Sequence, residues 1–122
     1  MKIEQILKLV AVTKPKDQNP IVLRRDKLVS SINRQLAIIE KYALGESVRG
    51  KWFWTNDSGG YYLPIKYGKQ VLELGKGKFA IECSNLDEVE DALIKVRALI
   101  KQGDFDSVLE STSKELRSKF MK

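Results

Sequence analysis

The sequence predicts an α+β fold in which a four-stranded antiparallel β-meander carries a helix on one face. Two observations predict it: short β-rich runs alternate with turn residues over Lys51–Cys83, and the hydrophobic period changes from two to that of a helix after Ser84. An extra N-terminal strand and a long helix precede this unit. We expect a single domain over residues 1–122, with a sheet-and-helix core at about 49–103, a strand–helix extension at 1–45 and a tail at 104–122.

Turn signals at residues 56–60, 68–69 and 75–77 divide the segment Lys51–Cys83 into four strands. All three connections are short, so successive strands should pair as a meander. The predicted strands are Trp52–Thr55, Tyr61–Tyr67, Gln70–Leu74 and Lys78–Cys83. Their period of two predicts one apolar face, formed by Leu72, Leu74, Phe79, Ile81 and Cys83.

The helix that should cover this face is predicted over Leu86–Lys101. Asn85 is placed to cap it, Glu88 follows at the spacing of a capping box, and Gly103 marks its end. Its apolar stripe consists of Leu86, Val89, Leu93, Val96 and Ile100.

The N-terminal extension is predicted as a strand over about Ile6–Thr13 and a helix that begins at Pro20, with Asn19 as its cap, and runs to about Leu44. The apolar stripe of this helix is predicted at Val22, Val29, Ile32, Leu36, Ile39 and Ala43. In the tail, a loose stripe favours either a short frayed helix or a segment that orders only against another subunit, at Val108, Leu109, Thr112, Leu116 and Phe120.

The composition narrows the function classes. The chain has no histidine and one cysteine, Cys83, which we expect to be a small buried hydrophobe. The usual general bases, thiol nucleophiles and zinc ligands are therefore missing, so we expect no enzyme, metal or cofactor. Charged residues interrupt the N-terminal apolar run and no membrane span is expected, which favours a cytoplasmic protein.

The net charge of +6 is concentrated in the first two thirds of the chain. Residues 1–83 carry 15 Lys and Arg against 8 Asp and Glu. Such a bias favours a polyanionic partner, and aromatic residues interleaved with lysines on a sheet are typical of single-stranded nucleic-acid binding. The candidate binding residues are Trp52, Trp54, Tyr62, Lys66, Lys69, Lys76, Lys78, Arg24 and Arg25.

Each part of this candidate surface has a structural alternative. Trp52 and Trp54 are equally well explained as core or dimer-interface residues, with Phe53, of opposite parity, packed under the helix. Arg24, Arg25 and Arg34 on the long helix have two explanations. They could belong to a phosphate-contacting surface, but they are more simply explained as solvated residues on an exposed helix face.

Four meandering strands followed by one helix, with an aromatic and basic sheet face, resemble the single-strand-binding fold of the transcriptional coactivator positive cofactor four and its Whirly-type relatives. The strings WFWT, YG and VLELGKGKFAIE also resemble small uncharacterised phage and prophage proteins. The first resemblance, over about residues 49–103, implies a homodimer that binds melted DNA.

The leading hypothesis is a homodimeric, sequence-tolerant single-stranded DNA-binding protein of phage or prophage origin, acting in replication, recombination or transcription in the host cytoplasm. The alternative is a protein-interaction module that modulates a host or phage protein. A purely structural role would be favoured if both tryptophans were buried.

Overall fold

The computed structural model describes Gln5, residues 7–11 and residues 19–120. The predicted α+β class is confirmed. In this part of the chain the elements, in order, are α1 (Pro20–Ala43), β1 (Trp54–Thr55), β2 (Tyr61–Leu63), β3 (Lys66–Tyr67), β4 (Gln70–Val71), β5 (Ile81–Cys83), α2 (Leu86–Gln102) and α3 (Asp106–Phe120).

The strands do not form the predicted four-stranded meander. They form an antiparallel sheet in the order β1-β2-β5 and a separate β3–β4 hairpin. The predicted strand Tyr61–Tyr67 is interrupted by Pro64, which has no N–H to donate to a ladder and lies buried between β2 and β3. The last strand, β5, pairs with β2, with Leu63 opposite Ile81 and Tyr61 opposite Cys83.

The residues predicted on the apolar face of the meander differ in burial. Cys83 and Leu72 are buried as predicted, whereas Leu74 and Ile81 are partly buried. Phe79 was predicted on the apolar face, but half of it is exposed. The reason is that residues 78–80 lie outside the strands, where only an isolated bridge between Gly75 and Lys78 closes the turn, so the period of two does not extend through them.

Helix α2 begins at Leu86 as predicted and ends at Gln102, one residue beyond the predicted end, and its predicted stripe is buried except for the partly buried Leu86. The Oδ1 atom of Asn85 accepts a hydrogen bond from the Glu88 N–H at 2.9 Å, while the Glu88 carboxylate accepts from the Ser84 N–H, one residue before the expected partner. Gly103, with φ of 95°, ends the helix in the left-handed conformation. The buried residues of α2 are Val89, Leu93, Val96 and Ile100.

Helix α1 is a layer of the core. Asn19 caps it through a 2.9 Å bond from the Ile21 N–H to Oδ1. Of the predicted stripe, Ile32 and Ile39 are buried and Val29 and Leu36 are partly buried, whereas Val22 and Ala43 are exposed. The buried stripe is rotated and includes a polar residue: its members are Leu28, Ile32, Gln35 and Ile39. Helix α1 contacts both α2 and α3.

The tail forms a 15-residue helix that packs on the core of its own chain. Leu109 and Thr112 are buried, and Val108 and Leu116 are partly buried, so neither fraying nor a second subunit is needed to explain the stripe. The predicted strand Ile6–Thr13 is wrong for residues 7–11, which form no strand and expose Leu7, Leu9 and Val10. The rest of that prediction lies outside the described residues.

A steric prediction follows from the close approach of β2 and β5. A methyl group at Gly60 would collide with the backbone carbonyl of Cys83, so Gly60→Ala should destabilise the fold by about 1–3 kcal/mol. Chemical denaturation measures this. Gly75→Ala is the matched control, because its nearest neighbour is the flexible Lys78 side chain at 3.8 Å and the change should stay within about 0.5 kcal/mol. Equal stability of the two variants would contradict the close packing.

An electrostatic prediction concerns the ion pair between α1 and α3. Arg25 Nε donates to Asp106 Oδ1 at 2.8 Å and Nη2 donates to Oδ2, which holds the pKa of Asp106 below its usual range. A carboxyl with a lowered folded pKa stabilises the fold above its unfolded pKa of about 3.9, and this contribution disappears as the pH falls through the folded pKa.

Asp106→Asn should therefore flatten the acid limb of the melting temperature against pH, measured between about pH 2 and 7. Asp104→Asn removes the same charge from an exposed neighbour and should leave the acid limb as in the parent. An unchanged acid limb in Asp106→Asn would show that the ion pair does not contribute to stability.

Candidate nucleic-acid interface

The outer face of the sheet presents two neighbouring aromatic rings. Trp54 and Tyr62 are cross-strand partners in β1 and β2, and their ring centroids lie 5.8 Å apart at a tilt of 55°. Trp54 is 48% exposed and Tyr62 37% exposed. Cross-strand partners point to the same side of a sheet, so the pair forms one platform of accessible π surface.

The turn before β2 fixes this platform. The side-chain oxygen of Asn56 accepts hydrogen bonds from the N–H groups of Ser58 and Gly60, both at 2.9 Å. The Asn56 N–H in turn donates to the Gly60 carbonyl at 2.9 Å. This closes the hairpin and sets the register that brings Trp54 opposite Tyr62.

Phe53 anchors the same segment on the opposite side, as predicted. Only 1% of it is exposed, and it makes edge-to-face contacts with Tyr42 at 5.2 Å and Tyr61 at 5.8 Å between centroids. Because neighbouring side chains alternate in an extended segment, burying Phe53 turns Trp52 and Trp54 towards the surface.

Trp52 is held more closely than Trp54. Its backbone N–H donates to Oε1 of the buried Gln35 at 2.9 Å, and its ring is partly buried against the core. The two tryptophans therefore differ, because Trp54 presents an exposed ring whereas Trp52 is partly buried and its backbone is hydrogen-bonded to α1.

A groove of about 450 Å³ brings both tryptophans together with one of the predicted lysines, Lys66. Its other walls are apolar, and Phe79 is the largest of them. The residues that line it are Trp52, Trp54, Pro64, Lys66, Val71, Phe79 and Ala80. It can therefore receive a flat ring and place one ammonium group beside it.

The other predicted cations do not line this groove. Lys69 is exposed in the β3–β4 turn, and Lys76 and Lys78 are exposed around the next turn. Arg24 and Arg25 lie near the start of α3, where Arg25 forms its ion pair with Asp106 and the charge of Arg24 also lowers the pKa of that carboxyl.

Sequence reasoning missed Phe79 and Pro64 as groove residues. Pro64 carried a usable signal, because a proline inside a predicted strand indicates a break and so a different partner for the strand that follows. No local signal distinguished Phe79 from a core residue, since its exposure depends on which strands pair.

The described part of the chain contains no group of three or more His, Cys, Asp and Glu residues placed to hold a metal ion. Burial raises the pKa of the Cys83 thiol, with a further contribution from the negative charge of Glu88.

Within the residues that the structure describes, no helix combines the length and apolar character that a membrane crossing requires.

Comparisons with known proteins identify a family. No curated protein and no solved structure matches the chain. A family model, described as a family of unknown function (DUF6641), matches residues 41–109, from the last turn of α1 into α3, and so includes the aromatic platform and the groove. Since this match covers more than half of the chain, the protein belongs to the DUF6641 family.

Proposed function

We propose that this protein binds single-stranded nucleic acid, DNA in preference, with little sequence selectivity. The observation that carries the proposal is the exposed Trp54–Tyr62 platform beside a groove that contains Lys66. Every base has a π face, so stacking on such rings tolerates any sequence, while a nearby cation neutralises the backbone. The resemblance to phage and prophage proteins suggests replication, recombination or transcription in a host cytoplasm as the setting.

The preference for a single strand follows from access. In a duplex the faces of the bases are covered by their neighbours, whereas a single strand can lay them on Trp54, Tyr62 and the exposed ring of Phe79. These rings are large and apolar, and covering them with bases removes that surface from water.

The charges around the platform limit the path of the strand. Glu82 lies opposite Tyr62 on β5 and is exposed on the same outer face, where it would repel a phosphate. The backbone is therefore expected on the other side of the platform, past β1 and Trp52.

The groove also supports a second candidate, a protein-interaction module. Pro64, Val71 and Ala80 make most of its walls apolar, and aromatic residues such as Trp54 are typical anchors of protein interfaces. Salt separates the two functions, because binding to a polyanion weakens steeply as the salt concentration rises, and binding of an apolar side chain does not.

Stacking can be tested at Trp54. Trp54→Ala and Tyr62→Ala should each weaken oligo-dT binding by about 1–3 kcal/mol, because each removes a stacking surface. The salt dependence of binding should not change, because neither substitution removes a phosphate contact. Fluorescence anisotropy of labelled oligo-dT, with duplex DNA of the same length as comparator, measures this.

Ile94→Ala is the control for loss of an exposed apolar side chain, since Ile94 is 40% exposed on α2, and it should bind as the parent does. Folded Trp54→Ala and Tyr62→Ala variants that bind oligo-dT as tightly as the parent would reject stacking on this platform. Parent protein that binds no oligonucleotide but retains a protein ligand at high salt would favour the second candidate.

We also propose that the protein is a homodimer. In the described residues, β1 and β5 are the outer strands of the sheet, and their outer edges have no strand partner. An unpaired strand edge presents N–H and C=O groups with which a second chain can pair. Sedimentation at tens of micromolar should give about twice the chain mass of 13.9 kDa. A single species of the chain mass would contradict this.

A further inference from the structure

A second groove, of about 420 Å³, lies between helix α1 and the chain around Arg49, and its lining is basic. Lys27 and Arg34 enter it from the helix, with Ser31 between them. Their spacing of four and three residues puts these side chains on one face of α1. Arg49 enters from the loop before β1, so three cations from two parts of the chain line one groove.

These cations are not neutralised by the residues described. Lys27 Nζ lies 4.7 Å from the centroid of the Tyr67 ring, and Arg34 Nη2 donates to Ser31 Oγ at 3.1 Å. Both partners are neutral, so they orient the cations and leave their charge available. No carboxylate is among the described residues that line the groove, and the ion pairs found in this part of the chain involve other cations.

The floor of the groove is rigid and leaves room for an anion. Gln35 uses both ends of its amide on the backbone, donating to the Gly50 carbonyl at 2.8 Å and accepting from Trp52, so it does not compete for the cations. Gly50 and Gly68 line the rim and have φ of 77° and 64°. With no side chain at either residue, a phosphate group can approach the rim closely.

Trp52 lines this basic groove and also the groove that contains Trp54 and Lys66, so the two grooves adjoin at the Trp52 side chain. We infer that Lys27, Arg34 and Arg49 bind consecutive backbone phosphates of the same single strand whose bases stack on Trp54 and Tyr62. This inference rests on the proposed function and names its phosphate site. It also accounts for a backbone path on the side of the platform away from Glu82.

The test measures salt dependence. Lys27→Gln, Arg34→Gln and Arg49→Gln should each reduce the ratio of oligo-dT affinities at 50 and 200 mM salt by about 2.6-fold, because each removes about 0.7 from the log–log salt slope. Lys41→Gln is the matched control, since it removes one charge from an exposed residue of the same helix that lines neither groove. Its salt slope should equal that of the parent. Thermal melts confirm that every variant is folded.

A second probe separates this inference from the proposed function. Inorganic pyrophosphate, titrated into ¹⁵N-labelled protein, should shift the amide signals of Gly50 and Gly68 in the parent and not in an Arg34→Gln/Arg49→Gln double variant. Oligo-dT binding with unchanged salt slopes in all three groove variants would overturn the phosphate site and leave stacking intact. Pyrophosphate shifts without oligo-dT binding would keep the groove as an anion site while the proposed function fails. Absence of both would overturn both.

Discussion

The double hydrogen bond of Gln35 is the interaction on which the surface of this protein depends. Its side chain is 4% exposed, and its amide bonds to the backbone on both sides of Lys51, at Gly50 and Trp52. A buried amide whose partners are removed costs about 1–3 kcal/mol for each group left unsatisfied, so the segment is held firmly on α1. That constraint places Trp52 as a shared wall and directs the next residue, Phe53, into the core.

Helix α1 joins stability to the candidate function. One of its faces supplies Leu28 and Ile32 to the core, and the adjoining face supplies Lys27 and Arg34 to the basic groove. Because an α-helix has 3.6 residues per turn, neighbouring residues of a regular helix can point to the core and to the basic groove. The helix also holds Lys27 and Arg34 at a fixed spacing along one face.

The cations of α1 differ in the groups that hold them. Near its start, Arg25 is engaged by Asp106, which ties α3 to the body of the fold. Further along, Lys27 and Arg34 contact an aromatic ring and a hydroxyl instead. The charge of an arginine that donates two hydrogen bonds to a carboxylate is largely neutralised by that carboxylate. A cation held by neutral groups still attracts an external anion.

The sequence by itself determined the features that depend on local periodicity: the α+β class, the bounds of α2, and the burial of Phe53 opposite two tryptophans. The signals for these features are an apolar stripe, a helix cap and the alternation of side chains along a strand, and each of them involves residues that are close in the sequence. Only the tertiary structure decided that β5 pairs with β2 past the β3–β4 hairpin, which exposes Phe79, and that Gln35 is a core residue. Both outcomes require partners distant in the chain, and local periodicity specifies which face of an element is buried but not which element covers it.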